Sequence, residues 1–191
     1  MASLADLPPQ RHRFSVADFY ALGDVGILAP DARVELIEGE VIDMAPIGSP
    51  HAGIVNVLTR EFVLAVGDAA TVSIQNPVRL SDFSQPQPDV ALLRPRTDGY
   101  AGAMPTAADV FLLVEVAASS LSFDRTVKMP LYARHGIPEC WVVDIEGGQV
   151  IRYADPGASG YATCAPLPSL ERVALPGLPG CRVNLAGIVQ G

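Results

Sequence analysis

The chain has 191 residues, 49% of them apolar, and a formal net charge of −8. This length suits one domain with a buried core, and the acidic balance argues against a basic surface that binds nucleic acid non-specifically. The apolar runs are shorter than the roughly 20 residues of a membrane-spanning helix. The three cysteines form no CxxC motif, so we expect a soluble, cytoplasmic protein with no membrane partner.

The first 45 residues predict an arm, a helix and a hairpin. Residues 1–13 have the composition of a loose arm, and Ser15 followed by Asp18 predicts a helix start. From Arg33 to Met44, two alternating apolar runs flank Glu38-Gly39, which is typical of a tight turn between two strands. On the helix we expect three residues to be buried: Phe19, Tyr20 and Leu22.

The middle of the chain predicts a long helix and then a series of strands. Ser49-Pro50 supplies an N-cap and a first-turn proline, and apolar residues recur at helical spacing up to Gly67. The following β-rich runs predict strands at Thr71–Gln75, Val78–Leu80, Asp89–Leu93 and Val110–Ala117. The last run is almost continuously apolar and fits a central strand covered on both faces.

The run after residue 120 predicts a second helix with a distortion. Asp124 offers an N-cap and Gly136 a C-cap, so we expect a helix from Asp124 to His135. Pro130 lies inside it and predicts a kink near Met129 or a later helix start.

Two more strands and an irregular tail complete the predicted domain. Glu139–Ile145 and Gln149–Tyr153 have strand composition, separated by a turn, and residues 156–191 predict a C-terminal extension of short strands and turns. We therefore predict a single α/β domain over residues 1–191, with a mixed central sheet flanked by helices.

Three residues in these elements carry the chemistry. Asp89 opens a strand, Glu115 interrupts the most apolar strand, where an unpaired carboxylate is costly, and Lys128 lies early in the next helix. Phosphodiester hydrolysis needs carboxylates that hold Mg²⁺ or Mn²⁺ and a cation near the developing charge. If the two strands are neighbours, both carboxylates can meet one metal ion, with the Val116 carbonyl as a further ligand. Singly, each residue is more often a turn, edge or surface residue.

Five segments together resemble the Uma-two family of candidate endonucleases: RVELIEGEVIDMAP, the helix opening at His51, QPQPDVALL, VEVAASS and FDRTVKMPLYARHGIPECWVVD. The resemblance covers roughly residues 14–155. The family itself looks like a branch of the PD-(D/E)XK superfamily. It implies a restriction-endonuclease-like fold and a metal held by Asp89 and Glu115. It also implies that Lys128 helps position the attacking water.

The sequence departs from the simplest form of that superfamily's motif. In a plain E-x-K motif the lysine would stand at Ala117, so the resemblance implies that Lys128 replaces it from the next helix. Glu35 and His51 match the family's opening motif, and the resemblance implies that Glu35 approaches the metal site. The alternative is an exposed hairpin residue for Glu35 and a surface residue for His51; Asp124 and Lys128 could equally form only a surface ion pair.

Two functions remain open on the sequence alone. The first is a Mg²⁺- or Mn²⁺-dependent endonuclease that cuts DNA, for which the resemblance implies a homodimer. The second is a catalytically silent nuclease-like fold that acts as a binding or assembly module, which the acidic charge and the lack of a DNA-reading element favour.

Overall fold

A capped helix and a two-stranded hairpin form the first part of the computed structural model, which describes residues 11–188. Helix α1 (Val16–Asp24) begins with a capping box between Ser15 and Asp18, as predicted. In the hairpin of β1 (Val34–Ile37) and β2 (Glu40–Asp43), Glu38 and Gly39 have φ of 50° and 85°. Two left-handed residues in a two-residue loop are the type I′ geometry that matches strand twist. The predicted burial of Tyr20 is wrong, because this side chain is 45% exposed and Val16 is buried instead.

A six-stranded mixed sheet forms the centre of the protein, in the spatial order β3-β4-β5-β6-β7-β8. Strands β5 and β6 are parallel and the other neighbours are antiparallel. The strands are β3 (Thr71–Ile74), β4 (Val90–Leu93), β5 (Val110–Ala117), β6 (Glu139–Asp144), β7 (Gln149–Gly157) and β8 (Gly160–Pro166). The arrangement confirms the predicted mixed sheet with an N-terminal hairpin.

Both faces of the sheet are covered, which explains why β5 is almost entirely apolar. Alternate residues point to opposite faces: Val114 and Val116 belong to a core shared with helix α2 (Ser49–Val66), while Leu113 and Ala117 belong to the core on the other face. Glu115 stands between Leu113 and Ala117 in this alternation, so its side chain points to the same face as theirs. Its carboxylate therefore lies on the face covered by the helix that carries Lys128.

The second predicted helix begins earlier than expected and contains a wide turn. It consists of α3 (Leu121–Phe123), a π-helical turn (Asp124–Lys128) and α4 (Met129–Arg134), all with right-handed helical backbone angles at the junctions. Asp124 is thus not the N-cap; Ser120 holds that position. The predicted distortion near Met129 takes the form of this π turn, in which the Met129 N–H donates to the Asp124 carbonyl. Proline at 130 has no N–H to donate, so a regular α-helix would lack one hydrogen bond at this point.

Two further sequence predictions need correction, and a third falls largely outside the residues that the structure describes. Val78–Leu80 forms no strand of the sheet; only Arg79 makes an isolated bridge, to Thr106. The tail expected as an extension from residue 156 is integral, since β7 crosses that boundary and β8 lengthens the central sheet. It also supplies the short pair β9 (Val173–Ala174) and β10 (Arg182–Val183). Of the predicted arm, residues 1–10 lie outside the described range. Among residues 11–188, no helix has the length and apolar character needed to cross a membrane.

Candidate active site

A cavity of about 290 Å³ gathers every residue that the sequence singled out for chemistry. It lies where the hairpin, the first turn of α2, the end of β5 and the π turn meet. Its lining includes Glu35, Asp89, Glu115, Asp124 and Lys128, all 7% exposed or less.

Asp89 lies one residue before β4 and is held by three donors. The antiparallel register pairs Val90 with Val114, so Asp89 is next to Glu115 across the two strands. Its Oδ2 accepts the backbone N–H of Val116 at 2.8 Å, a donor on the part of β5 that extends past the start of β4. His51 Nε2 lies 3.1 Å from the same oxygen, and Gln75 Nε2 donates to Oδ1 at 3.1 Å.

Glu115 and Glu35 share the ammonium group of Lys128. Lys128 Nζ lies 3.3 Å from both carboxylate oxygens of Glu115 and 3.1 Å from Oε2 of Glu35. The Tyr132 hydroxyl, one helical turn beyond Lys128, donates to Glu115 Oε1 at 2.5 Å. Lys128 thus reaches the strand carboxylate from the helix, and the small Ala117 occupies the strand position where the plain motif would carry the lysine.

The π turn also brings in a fourth carboxylate, which the sequence did not assign to the site. Asp124 is 3% exposed and accepts the Ser120 hydroxyl at 2.7 Å. The alternative that Asp124 and Lys128 form only a surface ion pair is therefore wrong, because both are buried and Lys128 pairs with the two glutamates. The spacing of Ser120 four residues before Asp124 allows their hydrogen bond but does not indicate burial, so no local signal identified this carboxylate.

His51 contacts Asp89 from the first turn of α2. Its side chain is 15% exposed, so the surface interpretation does not hold. The buried Nδ1 atom has no hydrogen-bond partner among residues 11–188. Since Asp89 is an acceptor, the short contact places the proton of a neutral His51 on Nε2.

Two glutamines tie the hairpin to the strand that carries Asp89, and neither was identified from sequence. The Gln87 backbone N–H donates to Glu35 Oε2 at 3.0 Å, while its side chain donates to the Gln75 carbonyl. Gln75 has a left-handed φ of 50°, and its own backbone N–H donates to the Asp89 carbonyl at 3.0 Å. Leu36 and Gln85 complete the connection through an antiparallel bridge. Nothing local to a glutamine in the sequence distinguishes this role.

Burial and the neighbouring charges shift the pKa values of four side chains in the cavity. Burial raises the pKa of Glu115 well above its usual range, and the other carboxylates add to this against the opposing effect of Lys128. Burial likewise raises the pKa of Asp124. Burial opposes the charge on Lys128, but Glu115, Glu35 and Asp124 outweigh it and raise the pKa of this ammonium group. At Asp89, burial by itself would raise the pKa. Hydrogen bonds from His51, the Val116 N–H and Gln75 outweigh that effect and lower the pKa.

The donor chemistry of the cavity suits a hard divalent cation. Five carboxylates line the cavity with two cationic side chains, Arg33 and Lys128, and oxygen ligands are those that Mg²⁺ and Mn²⁺ prefer. Within residues 11–188, no group of three or more His, Cys, Asp or Glu side chains converges closely enough to hold a metal ion. The predicted set, two carboxylates and the Val116 carbonyl, is smaller than such a group and stays a prediction.

Comparison with known proteins supports this fold and shows the family. A solved structure described as a putative nuclease belonging to DUF820, from Anabaena variabilis, has a TM-score of 0.71 at 16% sequence identity, covering 92% of this chain and 97% of that one. At this identity the likeness shows a shared fold. No curated protein matches the chain. A family model described as "Putative restriction endonuclease" matches residues 16–186. The chain therefore belongs to the Uma2 family of putative restriction endonucleases.

Proposed function

We propose that the protein is a divalent-cation-dependent endonuclease that hydrolyses phosphodiester bonds in DNA. The observation that carries the proposal is the position of Lys128 Nζ, 3.3 Å from Glu115 and 3.1 Å from Glu35, in the cavity that Asp89 also lines. Carboxylates on two adjacent strands with a lysine beside them are the groups that the sequence predicted for this chemistry.

Asp89 and Glu115 would hold Mg²⁺ or Mn²⁺, with the Val116 carbonyl as a further ligand. When bound, such an ion polarises the phosphate and makes water a better nucleophile at neutral pH. The low pKa of Asp89 keeps this residue ionised, so it can offer its oxygens to a cation without first losing a proton.

Lys128 acts in this proposal as a fixed positive charge. Because the neighbouring carboxylates raise its pKa, the ammonium group keeps its proton and cannot serve as a general base at neutral pH. Its contribution is to orient water and to stabilise negative charge that develops on the phosphate oxygens. Glu35 fixes the position of this ammonium group from the hairpin, since both are buried and 3.1 Å apart.

Cleavage by the purified full chain tests the proposal. Plasmid, linear duplex, branched and single-stranded DNA are incubated with Mg²⁺, Mn²⁺ or excess chelator. We expect cleavage of at least one substrate with Mg²⁺ or Mn²⁺ and none with chelator. Cleavage that persists in chelator would contradict metal dependence.

A silent binding module is the second candidate, and one observation favours it. Both carboxylate oxygens of Asp89 and of Glu115 already have donors within the protein. Such a cavity is satisfied without a metal ion. Absence of cleavage in every combination of DNA and metal would favour this candidate over the nuclease.

A further inference from the structure

The cavity has two chemically different walls. One wall carries the buried carboxylates and Lys128. The other is formed by the end of β2, the segment that follows it and the helix α3, and its side chains are mostly apolar: Ile42, Met44, Pro46, Ile47 and Phe123, with Asp43 as the charged residue among them. Ile47 is 43% exposed and lines the cavity together with the other apolar side chains of this wall.

The charged groups are buried in a cavity that is small compared with a regular duplex. Glu35, Asp89, Glu115 and Lys128 are between 3% and 7% exposed, at the floor of a cavity of about 290 Å³. That volume is at the lower end of the range of about 300–1,000 Å³ for small-ligand sites. A base-paired duplex can offer such a cavity only a backbone phosphate, because its bases stay inside the stack. A single unstacked nucleotide can enter with its base.

The distribution of charge also disfavours a partner held by its phosphates. Affinity for duplex DNA comes mainly from lysines and arginines that neutralise phosphates, yet among residues 11–188 only Lys128 and Arg33 line the cavity as cations. Lys128 pairs with two glutamates, and Arg33 donates to the Ala45 carbonyl at 2.5 Å. The chain as a whole has a net charge of −8. Binding must therefore draw on contacts with the bases.

We infer that the substrate is single-stranded or locally unpaired nucleic acid, with a base of the unpaired strand against the apolar wall around Ile47. This inference rests on the proposed function, because the carboxylates fix where the scissile phosphate lies. An unpaired base exposes a flat apolar face, which apolar side chains can cover without reading its identity. A paired base keeps that face within the stack.

Fluorescence anisotropy with labelled oligonucleotides tests the inference directly. A single strand, the duplex of the same sequence and that duplex with a single-stranded flap are titrated with the full chain in Ca²⁺, and each sample is checked on a gel for intact DNA. We expect the single strand and the flap to bind at least about tenfold more tightly than the duplex, an effect of one or more bases in contact. Equal or tighter binding of the duplex, or no binding of the single strand, overturns the inference.

A pair of matched substitutions locates the contact. Ile47→Ser removes apolar surface without changing charge, and we expect it to weaken single-strand binding about threefold to tenfold, the loss expected when part of an aliphatic side chain's buried surface is removed. Leu64→Ser is the control, because Leu64 is 72% exposed on α2 and does not line the cavity. Neither exposed residue belongs to the core, so both variants should fold. Equal affinities of the two variants for the single strand would show that the apolar wall around Ile47 does not contact the base.

The two ideas fail in different ways. If cleavage requires Asp89 and Glu115 but the duplex is cut faster than the single strand, the proposed nuclease stands and the substrate class is wrong. If the single strand binds and depends on Ile47 but no metal supports cleavage, the binding site stands and the catalytic proposal is wrong.

Discussion

Lys128 places an ammonium group between two buried glutamates, and the proposal gives it an electrostatic task. Lys128→Met keeps much of the side chain's length and removes its charge. We expect turnover to fall about 10²- to 10³-fold, the usual loss when one preorganised group that stabilises developing charge is removed. Metal affinity should be kept, because Lys128 is not a ligand. Single-turnover cleavage and calorimetric titration with Mn²⁺ measure the two effects separately. Loss of Mn²⁺ binding together with turnover would show that Lys128 only holds the carboxylates in place.

The raised pKa of Glu115 predicts how the free energy of unfolding of the metal-free protein changes with pH. A carboxyl group whose pKa is higher in the folded state binds more protons there, so the free energy of unfolding falls as pH rises from its ordinary value of 4.5 through the raised pKa. Asp124 acts in the same direction. Lys128 does not interfere, because its stabilising contribution is constant below its ordinary pKa of 10.5. The lowered pKa of Asp89 acts only in acid, where stability is lost as pH falls below 3.8.

Urea denaturation in chelator, over a series of pH values from 5 upward, measures this dependence. We expect Glu115→Gln to flatten the decline, because the amide does not titrate and still accepts the Tyr132 hydroxyl. An unchanged slope in the Glu115→Gln protein would show that Glu115 is not the group that takes up the proton.

At the scale of elements, the π turn determines where Asp124 and Lys128 point. Pro130 follows the turn and cannot donate to the residues before it. In Pro130→Ala the new N–H can bond to the preceding turn and favour a regular α-helix, which would change the direction of Lys128. We expect turnover to fall about tenfold to a hundredfold, since small displacements of catalytic groups have effects of this size. The melting temperature should be nearly unchanged. Cleavage rates and thermal denaturation check both; full activity of Pro130→Ala would show that the turn is not needed.

The elements that the sequence predicted well are those whose signal is local. The Glu38-Gly39 turn has its own backbone requirement, and β5 is apolar because both its faces are covered. Val78–Leu80 has strand composition but forms only a bridge at Arg79, because strand pairing depends on which segments are neighbours in space. The start of the second helix was misplaced for a related reason: Asp124 is a good N-cap residue whose side chain is used inside the cavity.

At the scale of the whole molecule, the sequence predicted which side chains meet in the cavity better than it predicted the contacts that connect them. Asp89, Glu115 and Lys128 were recognisable because their residue types stand in the order that a known chemistry requires. The links between them run through Gln75, Gln87 and other pairs far apart in sequence, and no local pattern encodes these contacts. The homodimer and the cytoplasmic location stay predictions.

Cleavage by charge-neutral variants of the two carboxylates tests the central claim most directly. Asp89→Asn and Glu115→Gln keep shape while removing charge, and Asp82→Asn, whose side chain is 78% exposed, is the matched control. On the substrate that the parent cuts in Mn²⁺, we expect the first two variants to lose all metal-dependent cleavage and the control to retain the parent's rate. If Asp89→Asn and Glu115→Gln cut DNA as fast as the parent, the activity belongs to another site or another protein, and the assignment of this cavity is wrong.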